Sequence, residues 1–463
     1  MRRIGVYICN YNGCKYVLDN IASLKRQTFD DFDIHVVDNA STDGSVSSIS
    51  AAYPDVEIIR MPENKGGSGG FEAGIQDSIS KGYAYTALLD NDIKLAPDVF
   101  EIMYNYLEEH RDTAIVGGKV FVMDRPELVQ DFGCKLDFEQ FREIPQYTHV
   151  PDGSVDMPEV NECDYIPTCA VLIRTDLMMK HGTMPTENFI YYDDVELSYQ
   201  MVSAGYKVAA LGKAKVLHKG GFNKARNNTR IKYYFQRNSL KFFSKYIKDN
   251  EIDIFIEKAL DTVFNRLYGF KSKGMYELFD STMYAFDDFL HGIMGKVDEY
   301  KISEYGCIYT PLQKLSMENE LVYLQLIDLD NDEDTMGVCI YLCETMQSVN
   351  PNLKVCVDIS KTRLSKEDLE KYKMHLAKAP DIQIVENSTD AMERGLKLVQ
   401  CEHCSKVVED ILPYVYVDRF ANCISNKEEY MSYTSLAGMK KFFKQLYRPL
   451  MKNTVILYRK KME

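Results

Sequence analysis

The sequence contains no tryptophan, and no apolar run approaches the ~20 residues that a membrane-spanning helix requires. Its twelve cysteines are scattered among strand-like segments and fit no small disulfide framework. The N-terminus enters a strand-like segment at once, without the long apolar core of a signal peptide. These absences argue against a membrane-spanning or disulfide-stabilised secreted protein, and they predict a cytoplasmic protein with reduced thiols.

Excess positive charge is absent as well. The formal net charge is −14 and the isoelectric point is about 5.2, which argues against a general nucleic-acid-binding protein. Two stretches are nevertheless basic: residues 219–248 carry nine lysines and arginines and no acidic residue, and the stretch from Gly438 onward is similar. The 463 residues, 45% of them hydrophobic, are typical of a globular protein of two or three domains.

Familiar phosphate and zinc motifs are also lacking. The glycine-rich segment Glu63–Gly74 could let backbone approach a ligand, but no Gly-Lys-Ser/Thr follows it, so it is not a Walker A loop. It is not a clean GxGxxG fingerprint either. The single CxxC at Cys401–Cys404 encloses His403 but has no second ligand pair, which favours structural thiols over zinc.

What the sequence does have is a regular alternation of strand and helix patterns. We predict strands at residues 4–10, 32–38, 56–60 and 83–90, with helices at 15–27, to about 53, and from the glycine-rich loop to about 82. This succession predicts βαβ units and a mostly parallel sheet. Ligands of such sheets bind beyond the carboxyl ends of the strands.

The rest of the chain is organised less regularly. Short strands are predicted at 114–122 and 169–174, and the tract from Arg230 to about Lys296 is predicted to be helical. A second alternating pattern begins near Tyr300. The predicted division is therefore a first domain at 1–248, a helical connector at 249–300, a smaller α/β domain of unknown role at 301–437, and a basic amphipathic tail at 438–463.

Polar side chains follow the first two predicted strands. The first strand leads into Asn10, Tyr11 and Asn12, and the second ends in Asp38 and Asn39. The Asp38–Asn39 pair could hydrogen-bond a base edge or a ribose, but each group could equally form an ordinary turn.

The strand that ends at residue 90 delivers two carboxylates, Asp90 and Asp92, with Asn91 between them. One interpretation is a strand end followed by a helix cap, because Pro97 suits the first turn of a helix. The other is a cation site, because two carboxylates at a rigid strand end can hold a hard divalent ion, which in turn can hold phosphate oxygens.

A second acidic cluster, Asp193, Asp194 and Glu196, follows three aromatic residues at the opening of a predicted helix. Acidic residues are common at helix N-termini. Clustered carboxylates beside apolar rings also raise one another's pKa, as a general base requires. Further along, His218 follows a strand-like segment; it could complete a cation site with Asp92, although a lone histidine is more often structural.

The order of these motifs resembles that of the family 2 glycosyltransferases of GT-A fold, most closely the rhamnosyltransferase- and galactofuranosyltransferase-like members. The resemblance rests on NYNG, VVDNASTDGS, NKGGSGGF, LLDNDI and YYDDVEL, and it covers roughly residues 3–245. It implies an α/β fold in which a GT-A domain with a mostly parallel central sheet is followed by a helical connector and a second, smaller α/β domain.

By this resemblance the protein is expected to be an inverting hexosyltransferase. Asp194 would deprotonate the acceptor hydroxyl, with Asp193 and Glu196 positioning acceptor and base. Asp92 and His218 would bind Mg²⁺ or Mn²⁺, which would bridge the donor diphosphate. The implied donor-binding residues are Tyr11, Asn12, Asp38, Asn39, Lys65, Gly66, Gly67, Asp90 and Asn91.

The implied partners are a UDP- or dTDP-linked sugar and a hydroxyl of a growing cell-surface polysaccharide or lipid-linked glycan, without nucleic acid. UDP-galactofuranose, dTDP-rhamnose and UDP-glucose are all compatible donors, and a homo-oligomer is compatible as well. The basic tail from Gly438 predicts peripheral attachment to the anionic inner face of the cell membrane. Its alternative is a terminal helix packed on a neighbouring domain.

Two departures from the family pattern and two rival functions qualify this expectation. Asn91 stands where the family often has an acid, which lowers the charge at the cation. Without tryptophan, stacking on a sugar must come from Tyr191 or Tyr192.

A nucleotidyltransferase is expected to have a basic glycine-rich signature at the N-terminus, and this sequence lacks one. A catalytically decayed scaffold is disfavoured by the retained Asp92, Asp194 and His218.

Overall fold

The computed structural model describes residues 3–220, 228–272, 275–303, 311–327, 335–361, 382–385, 396–401, 415–418, 423–424 and 436–460. The chain forms two compact units. Within these described ranges, no helix is long and apolar enough to cross a membrane. Residues 402–404 of the CxxC motif, 221–227 of the basic stretch and parts of the predicted second domain lie outside the described residues.

The first unit comprises residues 1–259, 284–302 and 450–463, and the second comprises 260–283 and 303–449. The predicted connector and tail are therefore divided between the two units instead of forming separate segments. Among the described residues, three helices contribute to both units: α8 (Ile252–Ser272), α9 (Tyr276–His291) and α12 (Leu436–Lys460).

The first unit is built from twelve strands and seven further helices among its described residues. The strands are β1 (Ile4–Asn10), β2 (Phe32–Asp38), β3 (Glu57–Arg60), β4 (Tyr85–Asp90), β5 (Ile93–Leu95), β6 (Thr113–Val122), β7 (Arg125–Asp131), β8 (Cys134–Asp137), β9 (Arg142–Pro145), β10 (Val160–Cys163), β11 (Ala170–Arg174) and β12 (Lys207–His218). The helices are α1 (Cys14–Leu24), α2 (Ser45–Ala52), α3 (Gly66–Lys81), α4 (Val99–Glu109), α5 (Thr175–His181), α6 (Asp193–Ser203) and α7 (Thr229–Tyr246).

The main sheet has the order β10-β12-β6-β11-β4-β1-β2-β3, with β5 beside β12 and β7 beside β6. The half formed by β3, β2, β1 and β4 is parallel, as predicted, and β12 runs parallel to β6. Strand β11 is antiparallel to both β4 and β6 and joins the two parallel parts. The predicted mixed α/β architecture is confirmed.

The side chains of the central strands point alternately into two hydrophobic cores, one on each face of this sheet. Ile4, Val6 and Ile8 of β1 belong to a core that includes residues of α1 and α4. Tyr7 belongs to the opposite core, which includes residues of α3, α5 and α6. Because side chains of a strand point alternately to its two faces, a strand covered by helices on both sides has to be apolar throughout.

The sequence predicts a glycine-rich loop followed by a helix. In the structure most of the glycine-rich segment is itself helical, because α3 begins at Gly66. A Cβ at Gly70 would lie 2.3 Å from Cys9 Sγ, and one at Gly74 would lie 2.9 Å from Tyr7 Cβ. These glycines therefore let α3 pack closely against β1. Their use here is a close helix–strand contact, which a side chain would prevent.

The described elements of the second unit are α10 (Pro311–Met317), β13 (Leu321–Ile327), α11 (Thr335–Gln347), β14 (Lys354–Lys361), β15 (Ile382–Val385), β16 (Leu396–Cys401), β17 (Val415–Asp418) and β18 (Cys423–Ile424). These strands form a sheet of order β15-β14-β13-β16-β17-β18. The described pairs are parallel except β17 with β18, and the order is that of a doubly wound α/β sheet. This confirms a second α/β region.

Candidate active site

The parallel strands β1, β2 and β4 end at the same edge of the sheet. Asn10 pairs in register with Asp38, and Cys9 pairs with Asp90. Strand β5 then pairs antiparallel with β12, which sets His218 opposite Ile93. Two separate pairings therefore bring a histidine from late in the domain to the carboxylates that follow β4.

Asp90, Asp92 and His218 form the cluster that the sequence predicts. His218 Nε2 lies 3.3 Å from Asp92 Oδ1 and 3.7 Å from Asp90 Oδ2. One ligand atom of each residue lies within 4.8 Å of the others, a spacing that could hold a metal ion. Burial raises the pKa of Asp90 to about 6. A bound divalent cation would favour the ionised carboxylates and offset this cost.

The space around this cluster is kept open by a glycine. A Cβ at Gly220 would lie 2.7 Å from His218 Nε2 and 3.4 Å from Asp92 Oδ2. A larger residue would therefore occupy the position between the imidazole and the carboxylate. Two carboxylates, an imidazole nitrogen and an open cradle together fit a divalent cation.

Gln130, at the end of β7, is a neighbour of this cluster that sequence reasoning did not identify. Its side-chain amide nitrogen lies 2.9 Å from His218 Nδ1, and its Oε1 is buried without a hydrogen-bond partner. Rotating the amide by 180° would let Oε1 accept a hydrogen bond from Nδ1–H. A histidine whose Nδ1 carries the proton presents an unprotonated Nε2 to a metal, so this orientation suits cation binding.

Asn10 links three of the strand ends. Its Oδ1 accepts a hydrogen bond from the Asn91 amide at 2.9 Å, and its Nδ2 lies 3.4 Å from Asp38 Oδ1. Asp38 is buried, and its Oδ2 also accepts a hydrogen bond from the Ser41 amide. Asn91 is thereby held towards Asn10.

The loop that follows β1 is pinned at one residue and exposed at another. The Asn12 carbonyl oxygen of the side chain accepts a hydrogen bond from the Thr42 amide at 2.7 Å. The Tyr11 side chain is 49% exposed, which leaves its ring available to a ligand. Tyr11 and Asn12 are both exposed, but the Asn12 side chain is engaged by Thr42.

Among the remaining predicted donor residues, Asn39 and Gly66 are occupied by contacts within the protein, whereas the Lys65 side chain is 53% exposed. Asn39 is 2% exposed; its Nδ2 donates to the Gly66 carbonyl at 2.8 Å and its Oδ1 accepts from the Lys65 amide at 3.0 Å. A Cβ at Gly66 would lie 1.9 Å from the Phe189 carbonyl oxygen. These contacts give Asn39 and Gly66 a role in positioning the N-terminus of α3. A Cβ at Gly67, by contrast, would meet only Asp193 Oδ2, at 3.8 Å.

Helix α6 begins with the predicted acidic pair, whose members have different surroundings. Asp193 is buried and accepts a hydrogen bond from Ser68 Oγ at 2.8 Å. Asp194 is half-buried, and its Oδ1 accepts from the Val195 amide. Burial, reinforced by the charge of Asp193, raises the pKa of Asp194 well above its usual range. Asp194 is thus the member of the pair that combines access with raised basicity.

Glu196 points away from the surface that Asp194 presents. It is fully buried and forms ion pairs with Lys241 Nζ at 2.9 Å and Lys245 Nζ at 2.6 Å. Residues two apart on a helix face nearly opposite directions, so Glu196 cannot share the surface that Asp194 presents. The geometry gives Glu196 a structural role in joining α6 to α7, in place of the predicted role in positioning acceptor and base.

The segment before α6 has an unusual backbone. Phe189, Tyr191 and Tyr192 all have positive φ angles, at 67°, 65° and 62°. Each such residue costs on the order of 1–3 kcal/mol unless its surroundings compensate. The Tyr192 ring is buried among Phe235 and Phe242, whereas Tyr191 is half-buried. Tyr191 is therefore the better placed of the two predicted stacking residues.

The carboxylates of both clusters lie within electrostatic range of a shared neighbour, and we call this group of acids the acidic basin. The Cys169 thiol lies within electrostatic range of Asp90, Asp92 and Asp194, and those charges, after burial, raise its pKa. Asp131, next to Gln130, belongs to the same basin, and burial raises its pKa to about 6. The sequence offered no signal for Gln130 or Asp131, because they lie on an edge strand without a recognisable motif.

Residues 5–143 match the family model described as glycosyl transferase family 2. This segment is a family 2 glycosyltransferase domain. It holds Asp38, Asp90 and Asp92, whereas Asp194 and His218 lie beyond the matched range. The particular likeness to rhamnosyl- and galactofuranosyltransferases stays a prediction.

Two curated relatives are glycosyltransferases by name. Glycosyltransferase GlyG of Streptococcus pneumoniae is 29% identical over 127 residues, which are 27% of this chain and 41% of the relative. An uncharacterized glycosyltransferase of Haemophilus influenzae is 27% identical over 144 residues, which are 30% of this chain and 41% of the relative. The chain thus spans less than half the length of these relatives.

Among solved structures, the mannosyltransferase PcManGT of Pyrobaculum calidifontis, in complex with GDP-Man and Mn²⁺, has a TM-score of 0.40 and 12% identity to this chain. The match covers 62% of this chain and 74% of that one.

The raised pKa of Asp194 predicts a pH-dependent stability. A carboxyl whose pKa is higher in the folded than in the unfolded state binds more protons when folded, so stability falls as pH rises above the unfolded pKa of about 4. We expect Asp194→Asn to raise the thermal midpoint at about pH 8 and to lose this advantage towards about pH 4. Asp156→Asn, at an exposed aspartate, is the control; an equal effect of both substitutions would contradict the assignment.

Proposed function

We propose that the protein transfers a sugar from a nucleoside-diphosphate donor to an acceptor hydroxyl, with inversion at the anomeric carbon. The observation that carries this proposal is the pairing of a candidate cation cluster with a half-buried carboxylate of raised pKa in one acidic basin. The family 2 match supports the reaction class. The acceptor is a hydroxyl of a cell-surface or lipid-linked glycan.

Asp92 and His218, with Asp90 beside them, would hold Mg²⁺ or Mn²⁺. When bound there, the cation would neutralise charge on the donor diphosphate and stabilise the departing nucleoside diphosphate. Asp38, held by Asn10 and Ser41, and the exposed Tyr11 are the groups available to the nucleoside. The nucleotide is UDP or dTDP.

Asp194 acts as the general base. It removes the proton of the acceptor hydroxyl as the acceptor oxygen bonds to the anomeric carbon, while the bond from that carbon to the diphosphate oxygen breaks. The proton ends on Asp194 and the electron pair on the leaving diphosphate. A raised pKa strengthens Asp194 as a proton acceptor, since proton-transfer efficiency follows basicity.

The base assignment is tested by Asp194→Asn. We expect transfer to fall by about 10²–10⁴-fold while nucleotide binding remains, because only proton removal is lost. A mass-spectrometric screen of UDP- and dTDP-sugars identifies the donor, and calorimetry with the matching nucleoside diphosphate measures binding. Wild-type turnover of the variant would overturn the assignment. Absence of turnover in the wild-type protein with every donor would favour a decayed scaffold.

The cation assignment is tested by Asp92→Ala, His218→Ala and Gly220→Ala. The first two remove ligands, and the third inserts a methyl group into the cradle. We expect each to weaken Mn²⁺ binding by at least about 10-fold in calorimetry, a loss known even for changes outside the ligand set. Gly269→Ala is the control, since a Cβ there meets nothing within 4 Å. Donor binding that survives a chelator would remove the cation from the mechanism.

We also propose that the protein binds an anionic membrane surface through one face of α12. Met439, Phe442 and Leu446 are spaced for one helix face and are 52%, 67% and 53% exposed. Lys441 is exposed beside them. Part of the basic charge serves internal contacts instead: Lys440 and Lys444 both pair with Asp261, at 2.8 and 2.6 Å. Apolar insertion therefore contributes alongside charge.

Substitution is a better test of this surface than deletion, because Met451, Val455 and Tyr458 of α12 are buried. We expect Phe442→Glu with Leu446→Glu to abolish co-sedimentation with phosphatidylglycerol vesicles. The matched control is Met179→Glu with Ile293→Glu, two other exposed apolar residues, which should sediment like the wild type. Equal sedimentation of the two double variants, or none of the wild type, would refute the membrane proposal.

A further inference from the structure

Asn238 lies in α7 and is completely buried. Its Nδ2 donates hydrogen bonds to three backbone carbonyls, those of Asn188 at 3.0 Å, Ile190 at 2.9 Å and Tyr191 at 2.9 Å. Its Oδ1 accepts from Arg237 Nε at 3.0 Å. The amide orientation is therefore fixed from both ends, because a rotated amide would set an oxygen against three carbonyl oxygens.

The carbonyls that Asn238 binds belong to the segment with positive φ angles that leads directly into Asp193 and Asp194. Such a backbone persists only where the surrounding structure determines it. Arg237 Nη2 adds a hydrogen bond to the Asn188 carbonyl at 3.2 Å, and Lys241 Nζ donates to Asn188 Oδ1 at 2.9 Å. Of these three α7 residues, Asn238 alone reaches the carbonyls of Ile190 and Tyr191 in these contacts.

We propose that Asn238 is a positioning residue for the transfer reaction, which fixes the direction in which the first turn of α6 presents the Asp194 carboxylate. This inference rests on the proposed role of Asp194 as the base. Asn238 touches neither donor nor acceptor; it acts through the backbone of residues 188–191. A displacement of this backbone moves Asp194 relative to the acceptor hydroxyl without altering the Asp92–His218 cluster.

A purely structural role predicts something different. Loss of a buried hydrogen-bonding residue would lower stability and reduce donor binding and turnover together, through the fraction of folded protein. A positioning role predicts a split, with kcat lowered and nucleotide affinity retained in the folded variant. The two roles therefore differ in how the loss of kcat compares with the loss of nucleotide affinity, and both can be measured.

The test uses the full chain with Asn238→Ser, which keeps a donor hydroxyl, and Asn238→Asp, which turns an oxygen towards the carbonyls. We expect kcat for transfer to fall about 10- to 100-fold in each, as misplacement by about 1 Å can cause. Affinity for UDP or dTDP with Mn²⁺ should stay within about twofold. Hydrogen exchange should accelerate in peptides covering residues 186–196 and remain unchanged in β1 and β4.

The matched control is Asn161→Asp, another buried asparagine of the first unit, which donates to the Phe132 carbonyl at 2.6 Å. It should lower the thermal midpoint but leave kcat of the folded protein unchanged. Asp194→Asn in the same assay separates the two levels of inference: if it stays active, the base assignment fails. If Asp194→Asn is inactive while Asn238→Ser keeps wild-type kcat, the positioning role alone fails. Parallel loss of nucleotide affinity, or failure of both Asn238 variants to fold, would also overturn the positioning role.

Discussion

Repulsion between carboxylates at the carboxyl edge of the main sheet is the constraint on which the first unit depends. Like charges held close together in a buried setting disfavour the ionised forms, so each carboxylate needs a compensating partner. Asp38 is compensated by neutral donors, Asp193 by a serine hydroxyl, and Glu196 by two lysines. The differences between these partners separate the acids whose charge is compensated within the protein from those whose charge is not.

By that criterion, two groups remain incompletely compensated. Asp90 and Asp92 face His218 across distances of 3.3–3.7 Å, with an open cradle beside them. Asp194 has a raised pKa and accepts its hydrogen bond from the amide of its own neighbour, Val195. A cation would compensate the charge of Asp90 and Asp92, and a proton taken from an acceptor hydroxyl would compensate the charge of Asp194. The acidic basin is thus suited to ligands that bring positive charge into it.

The parts of this arrangement that sequence could predict are those fixed by strand periodicity. Two of the predicted strands, at residues 4–10 and 32–38, match β1 and β2, and their polar ends meet at one edge because parallel strands align. The sequence places His218 at the end of a strand-like segment, and the family resemblance implies it as a metal ligand with Asp92. The antiparallel pairing of β5 with β12 brings the two residues together. These contacts follow from the pattern because the sheet leaves little freedom at its edge.

The sequence could not predict which neighbour contacts a given glycine or polar side chain. The glycines of α3 indicate close approach but not its partner, which is β1 at Gly70 and the Phe189 carbonyl at Gly66 instead of a ligand. Glu196 lies next to a candidate base in sequence, yet the helical rotation of two residues turns it towards Lys241. Gln130 reaches His218 across 88 residues and leaves no local pattern.

The basic stretch at 219–248 shows the same limit for charge. In sequence it reads as a positive patch within an acidic chain, but Arg237, Lys241 and Lys245 of α7 point inward to the carbonyls and carboxylates of the segment around α6. Removing one partner of a buried ion pair leaves an uncompensated charge, so these cations and Glu196 are mutually dependent. The same face of α7 thereby neutralises Glu196, which points away from the acidic basin. It also binds the backbone segment that leads into Asp194, which faces the basin. The direction of Asp194 is thus set by a helix that contributes no group to the proposed chemistry.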